Sequence, residues 1–97
     1  MALEIRLTPS ALRDMHNIYD WSAAQFGITQ ANHYSSQVMS SIELMARNPS
    51  LARDASSIRK DLKKYVAGSH VIYFRITRTI LTVARVLLGR QDAGNWL

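Results

Sequence analysis

The spacing of apolar residues changes near the middle of this chain, and the change limits the folds open to it. Between residues 8 and 48 apolar side chains recur every three or four positions, which is the period of an amphipathic helix. From Leu62 onward they alternate every second position, which is the period of a strand with one buried face. The chain is therefore predicted to be an α+β domain, with its helices before its main sheet strands.

The first residues predict a strand followed by a helix. Leu3, Ile5 and Leu7 alternate with charged residues, as in a half-buried strand. Thr8-Pro9 is typical of a helix start, because threonine caps a free N–H and proline at the first helical position loses no hydrogen bond. Gly27 is predicted to end this helix. The predicted apolar face consists of Leu12, Met15, Ile18, Tyr19, Ser22 and Phe26.

A second helix is predicted to start with Thr29 as its cap and to end at Asn48-Pro49. Its apolar stripe consists of Ala31, Tyr34, Val38, Ile42 and Met45. The link between the two helices spans about three residues, and so short a link forces them into an antiparallel hairpin.

The second half predicts a loop and three strands. Residues 49–61 are polar and predict a connecting loop with room for one helical turn. The strands are predicted at Lys63 to Ala67, His70 to Thr77 and Ile80 to Leu88, with turns at Gly68-Ser69 and Arg78-Thr79. On the middle strand Ile72, Phe74 and Ile76 are predicted to face the helices. The economical arrangement is an antiparallel two-helix hairpin packed on a mostly antiparallel sheet, as one domain over residues 1–97.

Charge is distributed unevenly along the chain. Residues 1–46 hold two basic and four acidic side chains, whereas residues 47–97 hold ten basic and three acidic ones. The basic half either binds an anionic partner, a nucleic acid or an acidic protein, or is a solvated face that keeps the protein in solution.

Several kinds of chemistry lack the residues they need. The chain has no cysteine, which excludes disulfides and a thiolate nucleophile. Its four glycines are scattered and form no phosphate-binding loop, and its three histidines have no ligand spacing, so neither a cofactor nor a metal is predicted. Apolar runs are far shorter than the ~20 residues that a membrane span needs, and no signal-peptide pattern is present, so the chain is predicted to be cytoplasmic.

The candidate binding residues are cations near the predicted strands, with one aromatic residue in the tail. They are Lys63, Lys64, Arg75, Arg85, Arg90 and Trp96. Cations that gather on one surface without a general acid or base form a binding surface. Alternatively, Arg85 spreads its aliphatic stem over the sheet, and the side on which it lies depends on the turn at Arg78-Thr79. Trp96 either packs back onto the core, which is the simpler interpretation, or serves as an exposed anchor for a partner.

Three segments resemble ParE toxins of the RelE/ParE superfamily: LTPSALRDMHNIYDWSAAQFG (7–27), GSHVIYFRI (68–76) and VARVLLGRQD (83–92). The resemblance implies the fold described above and a place in a type II toxin–antitoxin operon. It further implies a ParD-like antitoxin, bound in a hetero-oligomer, and inhibition of DNA gyrase.

The RelE branch of this superfamily cleaves mRNA on the ribosome, using strand-borne cations and a C-terminal Tyr or His for proton transfer. In this chain Leu88 stands where ParE-like sequences often have His, and Trp96 stands at the RelE-like aromatic position. Leucine transfers no proton, and indole only donates a hydrogen bond. The resemblance therefore implies a toxin that acts by binding. A RelE-like ribosome-dependent mRNA endoribonuclease is the alternative, served by His70 if His70 lies on the cationic face, and an inactive relic that still binds its antitoxin is a third possibility.

Overall fold

A helical hairpin covers one face of a mixed five-stranded sheet in the computed structural model, which describes residues 2–97. The elements are β1 (Glu4–Leu7), α1 (Pro9–Phe26), α2 (Ile28–Arg47), β2 (Arg53–Asp54), β3 (Lys63–Ala67), β4 (His70–Thr77), β5 (Ile80–Leu88) and α3 (Ala93–Trp96). The strand order is β1-β5-β4-β3-β2; β1 runs parallel to β5, and all other neighbours are antiparallel. The predicted α+β fold is confirmed. Within residues 2–97, no helix is both long and apolar enough to cross a membrane.

The three long strands have the predicted bounds, and β4 has the predicted orientation. Ile72 and Phe74 are 1% and 0% exposed and pack in the cluster formed with α2 residues such as Ile42, and Ile76 lies partly buried against the same cluster. The intervening Tyr73 belongs to a second cluster on the opposite face. Alternation along a strand places successive side chains on opposite faces, so the sequence pattern was sufficient here.

The start of α1 is also confirmed. The Thr8 hydroxyl accepts a hydrogen bond from the N–H of Ala11 at 3.1 Å and donates one to the carbonyl of Ala84 at 2.9 Å. The cap therefore ties the helix start to β5 as well as satisfying an orphan donor.

The predicted start of α2 is wrong. Gly27 alone joins the helices: with φ 90° it donates its N–H to the carbonyl of Ala23 and accepts at its own carbonyl from the N–H of Ala31. Because one glycine serves as the end of α1 and the start of α2, Thr29 lies inside the first turn of α2 instead of capping it. The shorter link still gives the predicted hairpin.

The predicted apolar face of α1 is wrong at its two ends. Leu12 and Phe26 are 50% and 64% exposed. The buried residues of α1 are Ala11, Asp14, Ile18 and Ser22. This buried stripe is narrower than predicted, and Leu12 and Phe26 lie outside it.

The loop over residues 49–61 contains more structure than predicted. It holds a 3-10 turn over Pro49–Leu51 and the two-residue strand β2, which pairs with the start of β3. The tail, for which no secondary structure was predicted, forms the short helix α3, whose first turn is capped by Asp92 through the N–H of Gly94 at 3.0 Å. Loop and tail together bury part of the sheet face opposite the hairpin. This second cluster consists of Ala55, Leu62, Tyr73, Leu87 and Ala93.

A β-bulge interrupts the pairing of β4 with β5. Tyr73 pairs with Arg85 and Phe74 pairs with Val83, so Ala84 is an extra residue in β5. Val83 and Val86, three positions apart, consequently both belong to the cluster under the helices. The turn at Arg78-Thr79 has the predicted position, and the register shift that affects Arg85 lies instead at this bulge.

Candidate functional site

A groove of about 910 Å³ lies between the closed end of the helical hairpin and the last third of the sheet strand β5. We call it the aromatic groove, and define it by Trp21, Phe26, Tyr34, Val86, Arg90 and Trp96. Its walls come from α1, α2, β5 and the tail, so the groove exists only when the helices and the sheet are packed together.

Three aromatic side chains at the rim of the aromatic groove are at least half exposed to solvent. Trp21, Phe26 and Trp96 are 58%, 64% and 50% exposed. The rings of Trp21 and Phe26 pack edge to face, with their centroids 5.8 Å apart. Exposed apolar side chains gathered at a concave surface are typical of a binding site for a protein partner.

One wall of the groove is built on an ion pair between a helix and the sheet. Arg85 donates from Nε to Oδ2 of Asp14 at 2.7 Å and from Nη2 to Oδ1 at 2.8 Å. The hydrogen bond to Asp14 is the main cause that raises the pKa of Arg85 above its usual value, and it keeps the guanidinium charged. Burial of Asp14 was not foreseen; the available signal was its position three residues after Ala11 and four before Ile18 on the buried face of α1.

The same carboxylate covers an open edge of the sheet. β1 ends at Leu7, opposite Val83, so the rest of β5 has no neighbouring strand on that side. Asp14 accepts the N–H of Val86 at 2.9 Å, and the side chain of Gln91 accepts the N–H of Leu88 at 2.7 Å. These two backbone donors are thereby satisfied without a strand.

Two arginines hold the tail against the sheet. Arg85 donates from Nη1 to the carbonyl of Trp96 at 2.8 Å, and Arg59 donates to the carbonyls of Gly94 and Leu97 at 3.1 and 3.3 Å. The guanidinium of Arg85 also lies 5.8 Å from the centre of the Trp96 ring. The tail thus packs back through Ala93 and Leu97, whereas the Trp96 ring stays half-exposed at the groove rim. The simpler interpretation of Trp96 as a core residue is wrong for its ring.

A histidine–tyrosine pair forms the floor of the groove. Nδ1 of His70 lies 2.6 Å from the hydroxyl of Tyr34, which also accepts the N–H of Ser69 at 3.0 Å. His70 is 6% exposed, and burial lowers its pKa, partly offset by Asp14. Glycine at position 68, in the turn before His70, leaves room for the Tyr34 ring, because a Cβ at Gly68 would come within 2.8 Å of that ring. His70 therefore faces the helices and lies away from the strand cations of the opposite face.

The predicted binding cations do not share one surface. Arg85 and Arg90 line the aromatic groove with Trp96. Lys64 and Arg75 lie on the sheet face turned away from the helices, on the side of Tyr73. Lys63 pairs with Phe74 at the start of β3 and lies on the helix side. Sequence spacing could not separate these sets, because strand order and the bulge decide which residues meet.

Comparison with known proteins places this geometry among toxins. Residues 5–93 match the family described as "ParE toxin of type II toxin-antitoxin system, parDE". The chain is 32% identical to "Toxin ParE1" of Mycobacterium tuberculosis over 93 residues, which is 95% of each chain. It is 28% identical to "Toxin ParE1" of Caulobacter vibrioides over 88 residues, 91% of each chain.

Two solved structures share the fold. A chain of the chromosomal ParDE toxin–antitoxin system from P. aeruginosa superposes with a TM-score of 0.78 at 13% identity, covering 90% of this chain and 96% of that one. A chain of the toxin–antitoxin complex RelBE2 from Mycobacterium tuberculosis gives a TM-score of 0.66 at 18% identity, covering 91% and 99%. Both support the overall fold described above.

Proposed function

The chain belongs to the ParE toxin family of type II toxin–antitoxin systems, and on that premise we propose that it acts by binding DNA gyrase in the cytoplasm and is neutralised by a ParD-like antitoxin in the aromatic groove. The observation that carries the proposal is the groove rim, where Trp21, Phe26 and Trp96 are each at least half exposed. Aromatic side chains at a concave site are the residues that most often dominate protein–protein affinity.

The charge around the groove favours an acidic partner. Arg85 is neutralised by Asp14, but Arg90 is exposed and lies just beyond β5. A segment with apolar anchors for the aromatic rim and a carboxylate for Arg90 complements this surface. Antitoxins of the ParD kind carry such an acidic segment, as the family resemblance implies.

A binding mechanism, in place of an enzymatic one, is supported by the state of the titratable groups. On the face that carries Lys64 and Arg75, Tyr73 is the central phenol, and burial raises its pKa. It therefore stays protonated at neutral pH and is no general base. Asp92 is engaged as the cap of α3, where it accepts from Gly94 and Asn95.

Antitoxin binding in the groove is tested with Trp21→Ala, titrated calorimetrically against the antitoxin encoded beside the toxin gene. Truncation of an interface aromatic costs about 2 kcal/mol, so Kd is expected to rise roughly 30-fold. Ile28→Ala is the matched control, because Ile28 is 66% exposed and does not line the groove. Equal affinity of parent and Trp21→Ala would place the antitoxin elsewhere.

One observation favours the ribonuclease alternative: the His70–Tyr34 pair lies at the groove floor. Two assays distinguish the gyrase proposal from the ribonuclease alternative: supercoiling of relaxed plasmid by gyrase, and cleavage of ribosome-bound mRNA. The gyrase proposal expects inhibited supercoiling and intact mRNA. His70→Asn keeps an acceptor near Tyr34 and removes the imidazole; mRNA cleavage by the parent that disappears in this variant would establish the ribonuclease instead.

A further inference from the structure

The sheet face turned away from the helical hairpin carries cations around the second cluster that the proposed antitoxin site does not use. We call it the basic face, and define it by Arg6, Arg53, Lys64 and Arg75. Strand alternation and register place these four side chains on one side: Ile5 and Leu7 pack under the helices, which turns Arg6 outward, and Arg53 stands opposite Lys64.

The register brings the four cations into a staggered row across the sheet, with Arg53 and Lys64 two residues out of line with Arg75 and Arg6. Arg6 and Arg75 both pair with Thr82 of β5, from its two sides. Lys64 pairs with Tyr73, two residues before Arg75 on β4. The row runs from β2 to β1, which is four inter-strand steps of about 4.8 Å, or about 19 Å.

Within residues 2–97, Arg6 of the basic face is paired with Glu4, whereas Arg53, Lys64 and Arg75 form no ion pair. Across residues 2–97 the ion pairs are Arg6–Glu4, which is exposed, and Arg85–Asp14, which belongs to the groove wall. Arg75 donates only to the carbonyl of Lys60, at 3.3 Å. Two carboxylates, Asp54 and Asp61, line the same pocket as Arg75, at the margin of the basic face; Asp54 pairs with Lys63 and accepts from Ser56. Like charges opposite one another, such as Arg53 and Lys64, destabilise a sheet, so folding alone does not account for them.

The surface between the cations suits a phosphate backbone better than a protein or a single strand. Single-stranded nucleic acid needs exposed aromatic rings on which bases stack, but Tyr73, the aromatic of this face, is 7% exposed. A protein partner needs apolar anchors, and the exposed one here is Val66 at the margin. A duplex carries about one negative charge per 1.7 Å of axis, so a 19 Å length holds about 11 phosphate charges on its two strands, and those on the near side face the row.

We propose that the basic face binds the phosphate backbone of double-stranded DNA without reading its sequence. The choice of DNA over other duplexes rests on the proposed function, because gyrase acts on duplex DNA. A toxin bound to gyrase would contact the enzyme with its groove side and would contact the DNA held by the enzyme with its basic face.

The test is fluorescence anisotropy of a labelled 20-base-pair duplex titrated with the full-length toxin, over a series of salt concentrations. Lys64→Gln with Arg75→Gln removes two phosphate contacts. Each contact contributes a slope of about 0.9 in log K against log salt, so affinity at 0.1 M monovalent salt is expected to fall about 60-fold and the slope by about 1.8. The melting temperature of the variant shows that the sheet is intact.

The matched control is Arg13→Gln with Arg47→Gln, which removes the same charge from exposed positions on the helices. A control that loses as much affinity as the test variant would mean that net charge alone attracts DNA, and the proposal would be overturned. No duplex binding by the parent, or tighter binding of single-stranded RNA of equal length, would overturn it as well. The assay contains neither gyrase nor antitoxin, so its outcome is independent of the proposed function.

Discussion

Asp14 and Arg85, 71 residues apart in the chain, join the helical hairpin to the bulged part of β5 through two hydrogen bonds of 2.7 and 2.8 Å. The pair is mostly buried, and its carboxylate also accepts the N–H of Val86. One carboxylate on a helix therefore fixes the guanidinium, the strand edge and, through Trp96, the tail.

Removing this carboxylate should be costly. Asp14→Ala leaves Arg85 and the N–H of Val86 without their partner, and loss of one member of a buried pair costs about 3–5 kcal/mol. Urea unfolding measures the change. Asp20→Ala, at an exposed position of the same helix, is expected to change the free energy of unfolding by less than about 0.5 kcal/mol. Equal effects of the two substitutions would mean that the pair adds nothing to stability.

The β4 side chains facing the helices should dominate the core. Phe74 is 0% exposed, and Phe74→Ala is expected to lower the free energy of unfolding by about 3–5 kcal/mol through lost burial and the cavity left behind. Thr77→Ala, at the exposed end of the same strand, is the control. Thermal or denaturant unfolding of both variants measures the difference, and an unchanged midpoint for Phe74→Ala would contradict the assigned face.

Stability should depend on pH through His70. Burial holds its pKa below 6.5 in the folded protein, so the unfolded chain binds the proton more readily. The stability that neutral His70 contributes is fully present above pH 6.5. It is lost as the pH falls below 6.5 toward the pKa of His70 in the folded protein. Denaturant unfolding between pH 7.5 and 5.5 is expected to show a smaller loss of stability in His70→Asn than in the parent, with His33→Asn, on the exposed side of α2, as control.

The separation of the cations onto different surfaces predicts unequal effects on antitoxin binding. Arg90→Glu places a like charge beside an acidic partner in the groove and is expected to raise Kd at low salt at least tenfold. Arg75→Glu, on the basic face, is expected to change it less than threefold. Calorimetric titration at two salt concentrations distinguishes them; the reverse order would mean that the antitoxin lies across the sheet face.

The strands were predictable because their signals are local. Gly68-Ser69 and Arg78-Thr79 interrupt alternating segments, and the two turns and the strand bounds follow. Asp14 and Ala84 were not predictable, because the burial of one and the bulge at the other depend on where β1 ends and which edge α1 covers. β2 was not predictable either, because its two residues pair with β3 only after the chain has turned back between Asp54 and Lys63.

The way in which Asp14 and Gln91 occupy the free edge of β5 bears on self-association. An open strand edge is a template on which another chain adds a strand, and soluble proteins commonly block such edges. Here the N–H groups of Val86 and Leu88 are already bonded to side chains, so a second molecule that extends the sheet must first displace a paired carboxylate. The unbound toxin is thereby protected against edge-to-edge polymerisation at this part of its sheet.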